Sequence, residues 1–159
     1  VNEFSSFARF PSANPEPCEL PPIIEETVAL YREGHPSIKF KINNASVLPQ
    51  LNLDRQQIKQ AMINLIDNAI GAIQAEGLIS FAVSHDPILK RIRLEAADNG
   101  SGISNEDKTR LFEPNFSTKK SGMGLGLTIV STIIADHNGV ISVQDNIHRG
   151  AKLDIELPV

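Results

Sequence analysis

Tryptophan is absent from this 159-residue chain, tyrosine occurs once and methionine twice, so its core must rest on aliphatic side chains and seven phenylalanines. Cysteine also occurs once, at Cys18, which excludes an internal disulfide framework and suits a reducing compartment. Positive charge is in deficit: 15 Lys and Arg against 19 Asp and Glu leave a formal charge of −4. That balance argues against nucleic acid or an anionic membrane as the main partner. Long hydrophobic runs are missing as well. The longest charge-free apolar stretch, residues 121–135, has 15 residues with three glycines, short of the ~20 that a membrane span needs. There is no signal-peptide pattern, and the chain opens on Val1 rather than Met, which reads as a segment of a longer protein. What remains is 41% hydrophobic and 21% charged, a globular balance at the length of one domain.

The first twenty residues stand apart. Phe4, Phe7 and Phe10 recur at a spacing of three, an aromatic stripe if the segment is helical. Five prolines then fall within residues 11–22, a composition that no helix interior tolerates. The expected organisation is a helix tail over 1–10, a Pro-rich linker over 11–20 and a domain over 21–159. Within that domain the patterns predict a helix over 21–33, stopped by Gly34-His35-Pro36, and a strand over 37–42. Asp54 caps the strongest helix, from Arg55 to about Ala75, on which Ile58, Ala61, Met62, Leu65, Ile66, Ala69, Ile70 and Ile73 recur three and four apart; Gly77 ends it. Strands over 79–83 and 92–96 form a hairpin turning at His85-Asp86-Pro87. A short helix near 105–111 and a helix over 125–136 follow, the latter closing on a left-handed Asn138-Gly139 cap. Strands over 140–144 and 152–157 make a final hairpin. Hairpins mixed with helices predict an α+β fold, a two-layer α/β sandwich with a mixed sheet and helices on one face.

Three glycine- or amide-rich patterns carry the chemistry. On the long helix, Asn64, Asn68 and Gly71 share the strip opposite the apolar face. An Asn carbonyl can complete the shell of a Mg²⁺ ion held otherwise by phosphate and water, although two asparagines alone also describe a solvated polar face. Asp98-Asn99-Gly100-Ser101-Gly102 follows a strand; its carboxylate can accept from an exocyclic amine, and its glycines permit close approach to a flat ligand, but the pentapeptide is equally a plain turn. Gly122, Gly124 and Gly126 open a helix, where exposed N–H groups favour phosphate, with Lys119 and Lys120 just before them. No strand precedes these glycines and no G-x-x-x-x-G-K-[ST] occurs, so neither the dinucleotide fingerprint nor the P-loop is present.

Taken in order, INLIDNAIGA, ADNGSGI, LFEPNFSTKK and GMGLGLTIV resemble the N, G1, F and G2 boxes of the GHKL ATP-binding superfamily, and among its members the sensor histidine kinases. The resemblance spans residues 20–157, and VNEFSSFARFP with FSTKKSGMGLGL is similar to the nitrogen-regulation (NtrB/NtrY) branch, where such a start ends the dimerisation helix. It implies the Bergerat fold, with ATP and Mg²⁺ as cofactors and a cytoplasmic location for the domain whether or not its parent is membrane-anchored. It also implies transfer of the γ-phosphate to a histidine on a separate dimerisation domain, a response regulator as indirect partner, and no nucleic-acid or membrane contact. By the same resemblance Asn68 is the Mg²⁺ ligand, Asn64 its catalytic companion and Asp98 the acceptor for the adenine amine. Gly100, Gly102 and Ile103 shape the adenine pocket, Phe112 and Phe116 anchor a lid over 113–121, and Gly122, Gly124, Leu125 and Gly126 hold the triphosphate. Lys119 or Lys120 adds positive charge there.

The chain departs from the family pattern in three places. Gly71 stands where many members have a basic residue, and Ala151 where they often have Thr. The acceptor box His-Glu-x-x-Asn-Pro is absent, and His35, His85, His137 and His148 read as turn or cap residues. Gyrase- and MutL-like ATPases and serine-kinase anti-sigma factors usually carry Glu at the position of Asn64, where a carboxylate can act as base and an amide cannot. A nucleotide sensor that binds without turnover is the third class the motifs allow.

Overall fold

The computed structural model describes residues 12–112 and 124–159, with the backbone alone for 124–126. The expected helix tail over 1–10, the whole lid over 113–121, with Phe116, Lys119 and Lys120 in it, and Gly122 lie outside the described residues. The chain runs β1 (Glu16–Cys18), α1 (Leu20–Arg32), β2 (Ile38–Asn44), β3 (Leu51–Leu53), α2 (Arg55–Ala72), β4 (Gly77–Asp86), β5 (Arg91–Asp98), α3 (Asn105–Lys108), α4 (Gly124–Asp136), β6 (Val140–Asp145) and β7 (Ala151–Pro158).

Five strands form one mixed sheet in the order β2-β4-β5-β7-β6, in which only β2 and β4 are parallel. Alternation decides which face is covered. Ile79, Phe81 and Val83 of β4, Ile92, Leu94 and Ala96 of β5, and Leu153, Ile155 and Leu157 of β7 are buried on one side. The register stacks them across strands, Phe81 against Ala96, Ala96 against Leu153, and Leu94 against Ile155. The helices lie over this side. From α2 come Ile58, Ala61, Met62, Leu65 and Ile66, from α4 Leu127, Val130, Ile133 and Ile134, and from α1 Leu20, Ile23, Ile24 and Val28. Each fully buried aliphatic or aromatic side chain contributes about 1.5–3 kcal/mol by area, which is how a core with no tryptophan is sufficient. This is the expected two-layer sandwich.

The opposite face of the sheet is polar. There Arg93 Nε donates to Asp154 Oδ1 at 2.8 Å, and Gln144 Nε2 donates to Asp154 Oδ2 at 2.8 Å. The Arg93 hydrogen bonds hold the Asp154 carboxyl below the usual carboxylate range. A carboxyl with a depressed folded pKa adds stability that is complete above its unfolded pKa and lost as pH falls through the folded value. Urea unfolding should therefore show a loss of stability from about pH 5 downward that is shallower in Asp154→Asn. Identical acid slopes in the two proteins would remove this ion pair from the acid response.

Several boundaries differ from the sequence expectation, each for a local reason. Helix α2 stops at Ala72 rather than about Ala75, because Ser101 N donates to the Ala72 carbonyl at 2.9 Å and docks the helix end on the Asp98–Gly102 turn. Gly77 accordingly opens β4 instead of ending α2. His85 lies in β4 opposite Ile92, not in the hairpin turn. The turn falls later because Asp86 Oδ1 accepts from Ile88 N and Leu89 N at 3.0 and 3.1 Å, and Lys90 takes φ +56°. The cap of α4 is as expected: Asn138 has φ +60°, Asn138 N donates to Ala135 O, and Gly139 N donates to Ile134 O.

β1 and β3 were not expected. They pair antiparallel as a separate two-stranded sheet, Glu16 opposite Leu53 and Cys18 opposite Leu51. The described part of the Pro-rich segment is thus stitched to the start of α2, where Asn14 N donates to Asp54 Oδ2 at 2.9 Å while Asp54 Oδ1 caps the helix at Gln57 N. These two hydrogen bonds, Asn14 first, hold the Asp54 carboxyl below its ordinary value. His137, at the far end of α4, completes the junction: its Nδ1 lies 2.7 Å from Ile133 O, and Asp54 N donates to its Nε2 at 3.0 Å.

Candidate functional site

The end of α2 and the turn after β5 meet over the helix-covered side of the sheet and enclose a pocket of about 330 Å³. Its floor is apolar, with Ile79 and Phe81 from β4, Ala96 from β5 and Leu153 from β7, three adjacent strands. One wall is α2, contributing Asn68, Gly71 and Ala72. The other is the glycine turn, contributing Asp98, Ser101, Gly102 and Ile103. A volume at the lower end of the roughly 300–1,000 Å³ of small-molecule sites, an apolar base and a few convergent polar groups suit a flat, mostly apolar ring system.

Asp98 is the last residue of β5, and the alternation that buries Ile92, Leu94 and Ala96 turns its carboxylate inward as well. It is 8% exposed, and its Oδ1 accepts from Gly100 N at 2.8 Å. Gly100 does not line the pocket; it makes the turn possible. A Cβ there would lie 2.5 Å from Ala72 O, so only glycine lets the turn sit on the end of α2. Gly102 has φ +80°, which carries the chain round the pocket mouth.

The structure therefore brings Asn68, Asp98, Gly102 and Ile103 to one cavity. Asn64 lies one turn before Asn68, half-buried and outside the pocket lining, and its Oδ1 accepts from Gln60 Nε2 at 3.0 Å. Phe112 packs half-buried against the core, and its carbonyl accepts from Thr128 Oγ1 at 3.3 Å, tying the last residue before 113–123 to α4. Gly124, Leu125 and Gly126 form the first turn of α4. Ala151, the departure from the family's Thr, does line the pocket, so the missing hydroxyl is lost from the site itself.

Sequence reasoning missed Asp107 and Leu111, which both line the pocket. Asp107 lies in α3 after the Ser104 cap and Leu111 in the turn that follows it, so no helical spacing links the two. Sequence reasoning placed the turn between β6 and β7 but missed that this turn packs against Asp98. Gly150 there has φ +102°, and a Cβ on it would fall 1.9 Å from Asp98 O. Gly150→Ala should cost at least about 2 kcal/mol and weaken whatever the pocket binds, since both the backbone conformation and the space are denied to a side chain. A urea midpoint unchanged from the parent protein would contradict this contact.

Residues 53–159 match the family of histidine kinase-, DNA gyrase B- and HSP90-like ATPases. The chain belongs to that family, as a catalytic domain of the sensor histidine kinase kind. It is 37% identical over 150 residues to nitrogen regulation protein NtrY of Azorhizobium caulinodans, a match covering 91% of this chain and 19% of NtrY. Among solved structures, the nucleotide-free catalytic domain of histidine kinase ThkA aligns with a TM-score of 0.82 at 31% identity, covering 91% of this chain and 95% of that one. ThkA in complex with the response regulator TrrA aligns at 0.82 and 27% identity, covering 99% and 45%. Full-length ShkA in complex with AMPPNP aligns at 0.83 and 25% identity, covering 98% and 33%. The chain thus spans about a fifth of NtrY and a third of ShkA. Among the described residues, no helix is long and apolar enough to cross a membrane.

Proposed function

We propose that this domain binds Mg-ATP in the pocket between α2 and the Asp98–Gly102 turn and presents the γ-phosphate to a histidine on a separate dimerisation domain. The observation that carries the reading is the buried Asp98 carboxylate beside an apolar floor, which matches the amine edge and the faces of adenine. Phosphoryl transfer asks the protein mainly for positioning and charge neutralisation, because the bond broken joins the γ-phosphorus to the β,γ-bridging oxygen and the attacking imidazole nitrogen comes from elsewhere. A site of amides, glycine N–H groups and a helix N-terminus at Gly124 suits that task. Residues 1–10 are assigned to the tail of the dimerisation helix, 11–20 to the connector and 21–159 to the catalytic domain. ThkA is known in complex with a response regulator, and by analogy a response regulator would receive the phosphoryl group in the next step. ATP supply places the domain in the cytoplasm.

Asn68 is proposed to give one oxygen to Mg²⁺, which would help neutralise the charge of the phosphates. Among the described residues no three His, Cys, Asp or Glu side chains converge, so such a cation would draw its other oxygens from phosphate and water. Calorimetric titration with ATP, with and without Mg²⁺, tests the whole reading; absence of binding in both conditions would refute it. In the same assay Asn68→Ala should retain metal-free ATP affinity while the gain on adding Mg²⁺ shrinks by roughly tenfold. An identical Mg²⁺ response in the two proteins would remove Asn68 from the metal.

A further inference from the structure

We propose that Asn146 and Arg149, in the turn joining β6 to β7, are positioning residues for adenine recognition, holding the Asp98–Gly102 turn from behind; this rests on the nucleotide reading above. The geometry is a closed loop of contacts. Asn146 Nδ2 donates to the Asp98 carbonyl at 2.8 Å, and Arg149 Nε donates to the Gly100 carbonyl at 3.0 Å. Gly100 N in turn donates to Asp98 Oδ1 at 2.8 Å. The two carbonyls held by the hairpin therefore flank the bond that orients the buried carboxylate. The hairpin turn is itself closed by Asn146 N donating to Gly150 O at 3.0 Å, and Gly150 packs directly against the backbone of Asp98 and Asn99.

Neither side chain lines the pocket; both line a cleft beside it, between the β6–β7 turn and residues 101–104. Their effect would pass through the backbone. Without Asn146 the Asp98 peptide can rotate, and a carboxylate aimed at an exocyclic amine tolerates little rotation because hydrogen bonds weaken steeply away from linearity. On the other side, Asn99 N donates to Leu78 O at 3.2 Å and Asn99 Oδ1 accepts from Leu78 N at 2.8 Å. The turn is thus gripped from β4 and from the β6–β7 turn, and the second grip uses side chains of a largely exposed hairpin turn. The structure assigns adenine selectivity partly to that hairpin.

Two substitutions separate positioning from general support. Asn146→Asp keeps the oxygen that accepts from Ile147 N at 2.9 Å, so the hairpin retains its internal bond, but replaces the donor that reaches Asp98. Arg149→Lys keeps the positive charge and removes the planar Nε–H. Affinities for ATP and for inosine triphosphate, which lacks the exocyclic amine, should be measured by calorimetry on the whole chain, with Asp98→Asn in parallel. Each hairpin variant is expected to lose about 5–10-fold in ATP affinity and less than about twofold for the inosine nucleotide, narrowing the selectivity. In an Asp98→Asn background, Asn146→Asp should add no further loss of selectivity. An unchanged ATP-to-inosine ratio in both hairpin variants, or equal losses for the two nucleotides, would overturn the proposal. If Asp98→Asn itself leaves ATP binding unaltered, Asp98 is not the adenine acceptor and this proposal falls with it; if the parent chain binds neither nucleotide, the nucleotide reading fails instead. Should Asn146→Asp not fold, Arg149→Lys decides alone.

Discussion

Asp98→Asn is expected to lower ATP affinity by roughly 30–150-fold, equivalent to about 2–3 kcal/mol, without unfolding the domain. In the variant, the amide oxygen can keep the bond from Gly100 N that Asp98 Oδ1 accepts at 2.8 Å. That choice forces the NH₂ group into the position of the second carboxylate oxygen, where it would face another donor, the adenine amine. The loss combines a missing charge-assisted hydrogen bond with a donor left unpaired in a place that is only 8% exposed. The fold should tolerate the change, because the exchange is isosteric and the turn keeps its grips at Leu78, Asn146 and Arg149. Calorimetry and a urea midpoint measured together check both halves. Unchanged ATP affinity would remove Asp98 from the site, and a collapsed midpoint would mean the carboxylate serves the fold rather than the ligand.

The legible parts of the fold were those in which side-chain period and burial agree. Helix α2 repeats apolar residues from Ile58 to Ile70, and apolar and polar residues alternate over 79–83, 92–96 and 153–157, where the helices cover one face of the sheet. β1 and β3 were invisible because three residues are too few to show a period, and because Pro17 within β1 reads as a breaker. An edge strand tolerates that proline, since its nitrogen need not donate. The end of α2 was misplaced for a different reason. Ile73 continues the helical period, but the Ala72 carbonyl is claimed by a residue 29 positions later, and no local pattern carries that information.

The site divides in the same way. Asn68, Asp98 and Gly102 could be found because their types and spacing already state a chemistry: a neutral ligand, a lone acceptor and a residue for positive φ. Gly71, placed by its spacing on the strip of Asn64 and Asn68, also lines the pocket, from the last turn of α2. Asn146, Arg149 and Gly150 could not be found. Their contacts with Asp98 and Gly100 span about fifty residues and fall on backbone atoms, which have no sequence signature. His137 is a parallel case. As a cap residue it was legible, but its bond from Asp54 N across 83 residues, which joins the ends of two helices, was not.

The chain by itself should bind ATP yet neither phosphorylate itself nor hydrolyse ATP quickly. Its histidines are all accounted for in other places. His137 is buried with both ring nitrogens engaged, His35 Nδ1 lies 3.1 Å from Tyr31 O, His85 sits in β4, and His148 occupies the β6–β7 turn at φ +73°. None of the four lines the pocket. Water is the remaining nucleophile, and its activation calls for a base near the γ-phosphate. Gyrase-like ATPases usually have Glu where this chain has Asn64, whose amide cannot take a proton at neutral pH. The γ-phosphate is then positioned with nothing in line to accept it, and proximity supplies no rate without a nucleophile. Adding a dimerisation domain that carries the acceptor histidine should restore transfer in trans. The rate should fall below that of the linked protein, because the connector no longer provides millimolar effective concentration. Incorporation of labelled phosphate, with and without that domain, and phosphate release are the measurements. Acid-labile phosphate on this chain alone, or brisk ATP turnover by it, would overturn the histidine-kinase reading in favour of a self-sufficient ATPase or kinase.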